Sequence, residues 1–561
     1  VADVEHLLTE AEANASLGQL PQAEVFCREA LAKDPGNTRA LRLGGWLAAA
    51  RGNHDAAVEA LEKARAAEPE DPQVSALLAR SLSALYRYEE AAQLLQDACA
   101  RTPGRADLHR ALGVAYWSLW NYAGAREQFR AASAAEPGDR RHIQNLLFSA
   151  CYDPDLTPDE VADLHRQWGP RFLAGVRDPG GGSHANPPDP DRPLRVGYLS
   201  PDFRKHPVSV FLASLVAYHH PASVVTHCYA SVAKPDSVTQ ALSRVCPNWL
   251  DVKGMDDATL ARRIRADGID ILVDLAGYTG GSRVSVLGHR PAPIQASYLG
   301  YPATTGLPVM DWRLTDGVAN PPGTERFYTE RLARIEGGLC CYMSPPGAPD
   351  PNALPGLNRG RLTFGSLVNL RKVNRKSIAL WARVLQAVPD SRLLLFRHSL
   401  QAPSQRERYL AEFERNGVDR TRVDIGWELP PPQEGSHFAV YHRVDAVLDT
   451  VPFSGHTSTC AALWMGVPVL TLAGDDCAGR LSATVLNMAG LDDFVTETPD
   501  AFVDAARRLA ADLPALAHLR QTLRGRLSRS RLLNADAFTR SMEAAYRVMW
   551  RDWCAKPGAG R

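Results

Sequence analysis

The sequence predicts an all-α solenoid of helix pairs followed by an α/β region built from two doubly wound parallel-sheet halves. Three observations carry that expectation: side-chain ladders that repeat every 34 positions through the first quarter of the chain, an abrupt change of composition at residues 177–193, and apolar runs that alternate with helical stretches from there on.

Pro35, Pro69, Pro103 and Pro137 stand 34 residues apart, and Ala23, Ala57, Ala91 and Ala125 keep the same step, as do Ala30, Ala64, Ala98 and Ala132. The small residues let two helix backbones approach, and each proline ends the second helix of a pair because it lacks an N–H and clashes with the preceding turn. Such a period is the sequence form of the tetratricopeptide helix pair, assigned to residues 1–140. The fourth unit is the best preserved, with Leu112, Gly113 and Tyr116 facing Ala125, Phe129 and Ala132; the first has Ala11 and Cys27 at the places of Gly113 and Phe129. Atypical terminal repeats are expected where one side lacks a neighbour. The aromatics here are expected to be inter-helix core. Residues 141–176 read as a helical cap, and residues 177–193, dense in glycine and proline, as a linker or long exposed loop.

Beyond the break, Leu194 to Leu199, Val224 to Ala230 and Ile269 to Leu275 read as strands, with helices at Phe211 to Tyr218 and Ala258 to Ala266. These fall in a first half, residues 194–345. After a second proline-rich break, strands are expected at Leu362 to Leu367, Leu393 to Phe396, Val423 to Ile425, Ala446 to Leu448 and Val467 to Leu472, in a second half over 346–535, with a terminal helix over 536–561. Two such halves imply a cleft, and ligands of open parallel sheets collect at the carboxyl ends of the strands.

Composition narrows the function classes. The 63 basic and 63 acidic side chains of the 561 residues balance, so no general field for polyanions is implied. The opening Val1-Ala-Asp-Val-Glu-His has no basic run before an apolar core, so no secretory signal is expected there, and no stretch approaches the ~20 apolar residues of a membrane helix. Ten cysteines without a Cys-x-x-Cys pair favour a reducing cytoplasm and give a structural zinc site no support.

The sharpest chemical signal is Ala446-Val-Leu-Asp449-Thr450, a buried strand ending in a polar pair, followed by a glycine turn at Gly455 and by His456-Thr457-Ser458-Thr459, which opens a helix. Free N–H groups and the positive end of the helix dipole converge at such a start and suit an anion; hydroxyls at Thr457 and Ser458 either cap the helix or bond a phosphate. At the same sheet edge, Leu362 to Val368 leads to Asn369, Arg371, Lys372, Arg375 and Lys376, bringing three or four cations to the glycine loop. A diphosphate held between them needs no divalent metal. The pairs Asp153-Pro-Asp155 and Asp189-Pro-Asp191 read as solvated turns outside the cleft, and Asp267 as a solvated helix end.

The stretch Leu448 to Ser458 followed by Leu463-Trp464-Met-Gly466-Val-Pro468 resembles the signature of the protein O-linked N-acetylglucosamine transferases. Arg195-Val-Gly197-Tyr198, Asp202-Phe203, His206-Pro207, Gly277-Tyr278-Thr279, Arg290 to Gln295 and Leu299-Gly300-Tyr301-Pro302 resemble it in the same order. The resemblance implies a GT-B glycosyltransferase of two Rossmann-like halves. It would move N-acetylglucosamine from UDP-N-acetylglucosamine to Ser/Thr hydroxyls of proteins, inverting and without metal or other cofactor. It further implies that Lys372 stabilises the departing UDP. Asn369 takes the place of a uridine contact, His437 stands near the uracil, and His456, Thr457 and Ser458 bind phosphate. Thr279, Gly300, Tyr301 and Pro302 surround the sugar and acceptor. His206 matches a histidine proposed as catalytic base; its unperturbed pKa of ~6.5 suits that task, and positioning the sugar or phosphate is the alternative. Protein or peptide acceptors along the repeats are the implied partners, with neither nucleic acid nor membrane. Two departures bear on the donor: Ala461 replaces an acidic residue, and Phe438, Ala439 and Val440 replace a basic cluster. A protein O-fucosyltransferase using GDP-fucose, and an adaptor with an inactive transferase half, stand as alternatives.

Overall fold

The computed structural model describes residues 2–178, 183–344, 347–429 and 437–556. Residues 179–182 of the expected linker, 345–346 where the two halves were expected to meet and 557–561 of the expected terminal helix lie outside the described residues. The chain divides into two compact units, Val1–Ser149 with His398–Leu410, and Ala150–Arg397 with Ala411–Arg561.

The repeat unit contains four antiparallel helix pairs: α1 (Ala2–Ser16) with α2 (Leu20–Lys33), α3 (Thr38–Ala50) with α4 (His54–Ala67), α5 (Pro72–Ala84) with α6 (Tyr88–Arg101), and α7 (Ala106–Ser118) with α8 (Tyr122–Ala135). Each ladder proline stands two residues past the end of the second helix, and the ladder alanines are buried. Gly113 shows why the register is strict, since an added Cβ would lie 2.5 Å from the Phe129 ring. A further 34-residue ladder appears in the backbone: Gly18, Gly52, Tyr86 and Trp120, in the turns inside each pair, all have positive φ, between 62° and 83°. Left-handed backbone is cheap for glycine and costs an aromatic residue about 1–2 kcal/mol. The two aromatic turns are those touched by residues His398–Leu410: Tyr86 packs against His398, its carbonyl accepts from Gln405 Nε2 at 3.1 Å, and Trp120 meets Tyr409 edge-on at 5.1 Å. A segment from the second half thus joins the repeats.

Helix α9 (Arg140–Ala150) follows, then α10 (Pro158–Phe172), opened by a Thr157/Glu160 capping box. The expected cap over 141–176 is therefore not one body. Helix α10 belongs with the α/β unit, because Gly169 and Gly306 bring two backbones together and His165 Nε2 meets the Tyr301 hydroxyl at 2.6 Å. The described part of the expected exposed linker is also anchored: Arg192 is paired bidentately with the buried Asp270, Asn186 donates to the same carboxylate at 2.7 Å, and His184 is buried.

The first half runs β1 (Leu194–Ser200), α11 (Pro207–Tyr218), β2 (Val224–Ala230), α12 (Ser237–Val245), β3 (Asn248–Asp251), α13 (Asp257–Ala266), β4 (Ile271–Asp274), β5 (Ile294–Ser297), β6 (Trp312–Thr315) and β7 (Arg331–Arg334). Its seven parallel strands are ordered β3-β2-β1-β4-β5-β6-β7. The second half runs α14 (Pro355–Arg359), β8 (Thr363–Ser366), α15 (Arg375–Ala387), β9 (Arg392–Phe396), α16 (Pro403–Arg415), β10 (Val423–Gly426), β11 (Ala446–Leu448), α17 (Thr457–Trp464), β12 (Val469–Leu472), α18 (Cys477–Met488), β13 (Val495–Thr496), α19 (Pro499–Ala511) and α20 (Leu513–Leu527). Its six strands are ordered β10-β9-β8-β11-β12-β13. Strand order reverses between β1 and β4 and between β8 and β11, which is where open parallel sheets leave a ligand crevice. The final helix, α21 (Ala535–Cys554), returns to the first half, where Tyr546 meets Tyr198 at 3.0 Å and Glu543 meets His219 at 3.0 Å.

Candidate functional site

Strand β11 is buried throughout and delivers Asp449 to the carboxyl edge of the second sheet. One Asp449 oxygen accepts from the Gly455 N–H at 2.7 Å and the other from Thr471 Oγ1 at 2.7 Å, which fixes the loop 449–455. From the end of β8, Asn374 reaches the same loop, donating to the Val451 carbonyl at 2.6 Å while its oxygen caps α15 at Ser377 N–H, 3.0 Å. Lys372 lies between these stitches. Its ammonium donates to the Ser454 carbonyl at 2.6 Å and sits 3.7 Å above the centre of the Phe453 ring. Burial pushes its pKa down to about 7, with Asp449 opposing and Arg397 adding to the shift.

Helix α17 starts directly behind. Its N-cap, His456, makes no side-chain capping bond, whereas Asn374 caps α15 and Asp476 caps α18. Thr457 and Ser458 are the first two helical residues, and both stay partly exposed, while Thr459 turns inward to Ser482 at 2.7 Å. Gly455 admits this crowding, since a Cβ there would stand 2.5 Å from Thr459 Oγ1 and 3.0 Å from Ser458 Oγ. The His456 ring stacks on Phe211 of α11 at 4.3 Å, and its Nε2 lies 3.4 Å from the Cys340 sulfur. Burial, then the Lys372 charge, holds its pKa down to about 3, so it stands neutral beside the lysine.

The first half contributes the loops after β1 and β4. His206 is the N-cap of α11, and its Nδ1 accepts from the Val208 N–H at 3.3 Å. Burial, with Arg204 adding, lowers its pKa to about 4. A neutral ring whose Nδ1 is an acceptor carries its proton on Nε2, so that nitrogen is a donor. Asp202 lies 3.6 Å from the same ring, its pKa raised by burial to about 6, and the buried Asp274 at the end of β4 is raised to about 7 for the same reason. Gly300 passes over the end of β4 so closely that a Cβ would stand 1.8 Å from the Leu275 carbonyl oxygen. Thr279 is partly exposed, its hydroxyl on the Ala276 carbonyl at 2.9 Å, and Pro302 is buried. Tyr301 is buried, and its hydroxyl meets His165 Nε2 at 2.6 Å, which braces the loop.

Asn369 is exposed at the end of β8, accepting from the Arg371 N–H at 3.1 Å. His437 is exposed, its ring 4.3 Å from that of Phe438, and the residues before it, 430–436, lie outside the described residues. Of the expected cations, Arg375 faces Glu412 at 3.6 Å and Lys376 faces Asp155 at 3.5 Å, while Arg371 acts on Tyr152 and Lys372 stands at the Gly455 loop. Asp153 is not a solvated turn but buried, with one oxygen accepting from the Asp155 N–H at 2.9 Å. Asp267 is likewise engaged, by the Tyr229 hydroxyl at 2.8 Å and by Arg263. Residue-type reasoning missed Phe453, Asn374, Phe211, Cys340 and Arg397. Only Asn374 gave a local signal, an asparagine three residues before a serine at a helix start; Phe453 lies within the 449–455 loop itself, and Phe211, Cys340 and Arg397 come from other chain segments.

The description "Glycosyl transferase family 41" matches residues 183–339 and 353–542, and "Tetratricopeptide repeat" matches 15–81 and 82–147. The chain is 37% identical over 424 residues to a tomato (Solanum lycopersicum) protein named a probable UDP-N-acetylglucosamine–peptide N-acetylglucosaminyltransferase SPINDLY, covering 75% of this chain and 45% of that one. An Arabidopsis thaliana relative of the same description, SEC, is 29% identical over 375 residues, covering 64% and 38% of the two chains. The chain thus spans less than half the length of these curated relatives. A solved structure of a lysine-to-methionine variant of the Thermobaculum terrenum O-GlcNAc transferase superposes with a TM-score of 0.80 at 32% identity, covering 99% of this chain and 98% of that one. With the profile spanning both α/β halves and that match running the length of the chain, the protein belongs to glycosyl transferase family 41 and carries tetratricopeptide repeats ahead of its transferase region.

Proposed function

We propose that this chain transfers N-acetylglucosamine from UDP-N-acetylglucosamine to serine or threonine hydroxyls of proteins, with inversion and without a metal. The observation that carries the reading is the Lys372 ammonium held over the Gly455 loop beside the uncapped start of α17. Negative charge grows on the diphosphate as the glycosidic bond breaks, and a fixed cation with helix N–H groups favours that state over the ground state. The charge of the leaving group is then met by the chain's own donors, with neutral His456 and the Thr457 and Ser458 hydroxyls as further partners. Asn369 and His437 flank the nucleoside end. In this reading His206 positions: its Nε2–H donates to the sugar or phosphate, and the hydroxyl proton of the acceptor goes elsewhere. The names of the relatives support the donor, and the tetratricopeptide repeats support an extended protein acceptor.

The reducing compartment proposed for the chain rests on its ten free cysteines; among the described residues no helix is long and apolar enough to cross a membrane. Isothermal titration with UDP-N-acetylglucosamine, GDP-fucose and UDP-glucose, paired with mass spectrometry of a protein acceptor, tests the reading. Binding and transfer are expected with the first; preference for GDP-fucose would make the chain a fucosyltransferase, and binding of none would make it an adaptor.

A further inference from the structure

The amino ends of the strands in the second sheet, the edge opposite Lys372, border a cavity of about 350 Å³. It is lined where segments enter the sheet: Arg359 ends α14, Arg361 precedes β8, Arg392 opens β9 and Arg443 precedes β11. The single carboxylate on the wall, Asp424, is taken by Arg392 through two bonds, 2.9 and 2.5 Å. Arg359 is turned to neutral acceptors, Thr363 Oγ1 at 3.3 Å and the Arg443 carbonyl at 3.1 Å. The nearby Asp445 carboxylate is buried and committed to the N–H groups of Gly356 and Thr363, at 2.7 and 2.8 Å. Among the described residues, Arg359, Arg361 and Arg443 have no ion-pair partner.

The three guanidiniums are solvent-exposed and line one concave surface, so an anion entering it would meet all three. The zero net charge of the chain makes this excess local. Guanidinium forks match the oxygens of phosphate bidentately. Leu394 is the apolar side chain of the wall and no aromatic ring lines it, so a nucleobase finds no stacking partner. We infer that the cavity is a second ligand site, separate from the donor cleft, that takes a compact phosphate-bearing anion through Arg359, Arg361 and Arg443.

The test is titration of the full chain with inorganic pyrophosphate in the presence of saturating UDP, and of an Arg361→Ser/Arg443→Ser double variant. These two side chains make no hydrogen bond that the fold needs, and unchanged thermal melting and UDP affinity in the variant verify that it is folded. Pyrophosphate binding is expected to persist beside UDP, to weaken with added salt, and to fall about tenfold per guanidinium removed, about 100-fold in the double variant. An Arg361→Lys/Arg443→Lys variant, which keeps the charges and loses the forks, is expected to fall between. Competition by vesicles containing phosphatidylinositol 4-phosphate would identify a lipid headgroup as the source of the phosphate, and its absence a soluble one. Pyrophosphate affinity equal in the double variant and the unchanged protein, or binding abolished by UDP, would overturn the assignment.

Discussion

The lowered pKa of Lys372 makes donor binding a proton-linked event with a predictable slope. In the free cleft the ammonium titrates at about 7, because burial outweighs Asp449 and Arg397 adds repulsion. A diphosphate beside it stabilises the charged form and raises that pKa, so UDP binds the protonated lysine. Below pH 7 the lysine is already charged and affinity is flat on its account; above pH 7 each complex takes up a proton and affinity falls up to tenfold per pH unit. From pH 7, where half the lysine is already neutral, to pH 9 that is about 50-fold, or about 2.3 kcal/mol. The phosphates of UDP do not mimic the effect there, their last ionisation lying near pH ~6. Nor do His456 and His206, held down to about 3 and about 4. Titration calorimetry in two buffers of different ionisation enthalpy reads the proton uptake directly at pH 8. Lys372→Arg, with a guanidinium that stays charged, should flatten the curve, and Lys372→Met should flatten it at weaker affinity. A flat curve in the unchanged protein, or the same slope in Lys372→Met, would refute the reasoning.

Lys372→Ala should lower turnover about 100- to 1000-fold, the ~2.7–4 kcal/mol typical of one electrostatic partner of a transition state, and lower donor affinity less; steady-state kinetics with near-normal turnover would remove it from the mechanism. His206→Ala should weaken binding of the intact donor more than of UDP and leave the pH profile of residual transfer unchanged, whereas loss of an acidic limb near pH 4 would reinstate it as the base. UDP binding should survive exhaustive EDTA treatment; restoration by magnesium or manganese of an affinity lost in EDTA would end the metal-free proposal. Trp120→Gly should relieve about 1–2 kcal/mol of left-handed strain yet lose about 3–5 kcal/mol of buried aromatic packing, so the unfolding midpoint in urea should fall; an increase would mean that Tyr409 does not depend on the repeats.

What could be read from the chain follows a physical division. Periodic features were legible: the 34-residue ladders, because every repeat must bury the same small residues, and the apolar strands β1, β2 and β4, because both faces of a parallel sheet demand apolar runs. Strands β3, β5, β6, β7 and β13 were not, being two to four residues long and edge-lying or mixed in polarity, so that sheet pairing rather than local preference makes them. The site divides in the same way. Lys372, Gly455 and the start of α17 announce themselves by sitting at strand ends ahead of helices, whereas the orientation of Lys372 depends on Phe453 and Ser454, and that of His456 on Phe211 and Cys340. Residue type alone left His206 balanced between base and positioner. The backbone adds an observation that favours the positioning role proposed above: as the N-cap of α11 the ring accepts an N–H through Nδ1, which leaves the proton on Nε2 and makes that nitrogen a donor.

The turn ladder extends this lesson to the repeats. Gly18 and Gly52 meet the left-handed requirement with the residue type that favours it, whereas Tyr86 and Trp120 hide it because an aromatic residue is not expected there. Their strain is offset by the residues His398–Leu410 packed on them, with Tyr409 buried and the Arg408 guanidinium 4.7 Å over the Trp120 ring. That segment starts one residue after Arg397, whose charge acts on Lys372 and His437. Deleting residues 1–140 would therefore strip the cover from Tyr409, and the truncated chain is expected to be insoluble or to bind UDP poorly. Soluble truncated protein with unchanged UDP affinity would show that the segment holds its conformation without the repeats, and that the left-handed aromatics serve the solenoid alone.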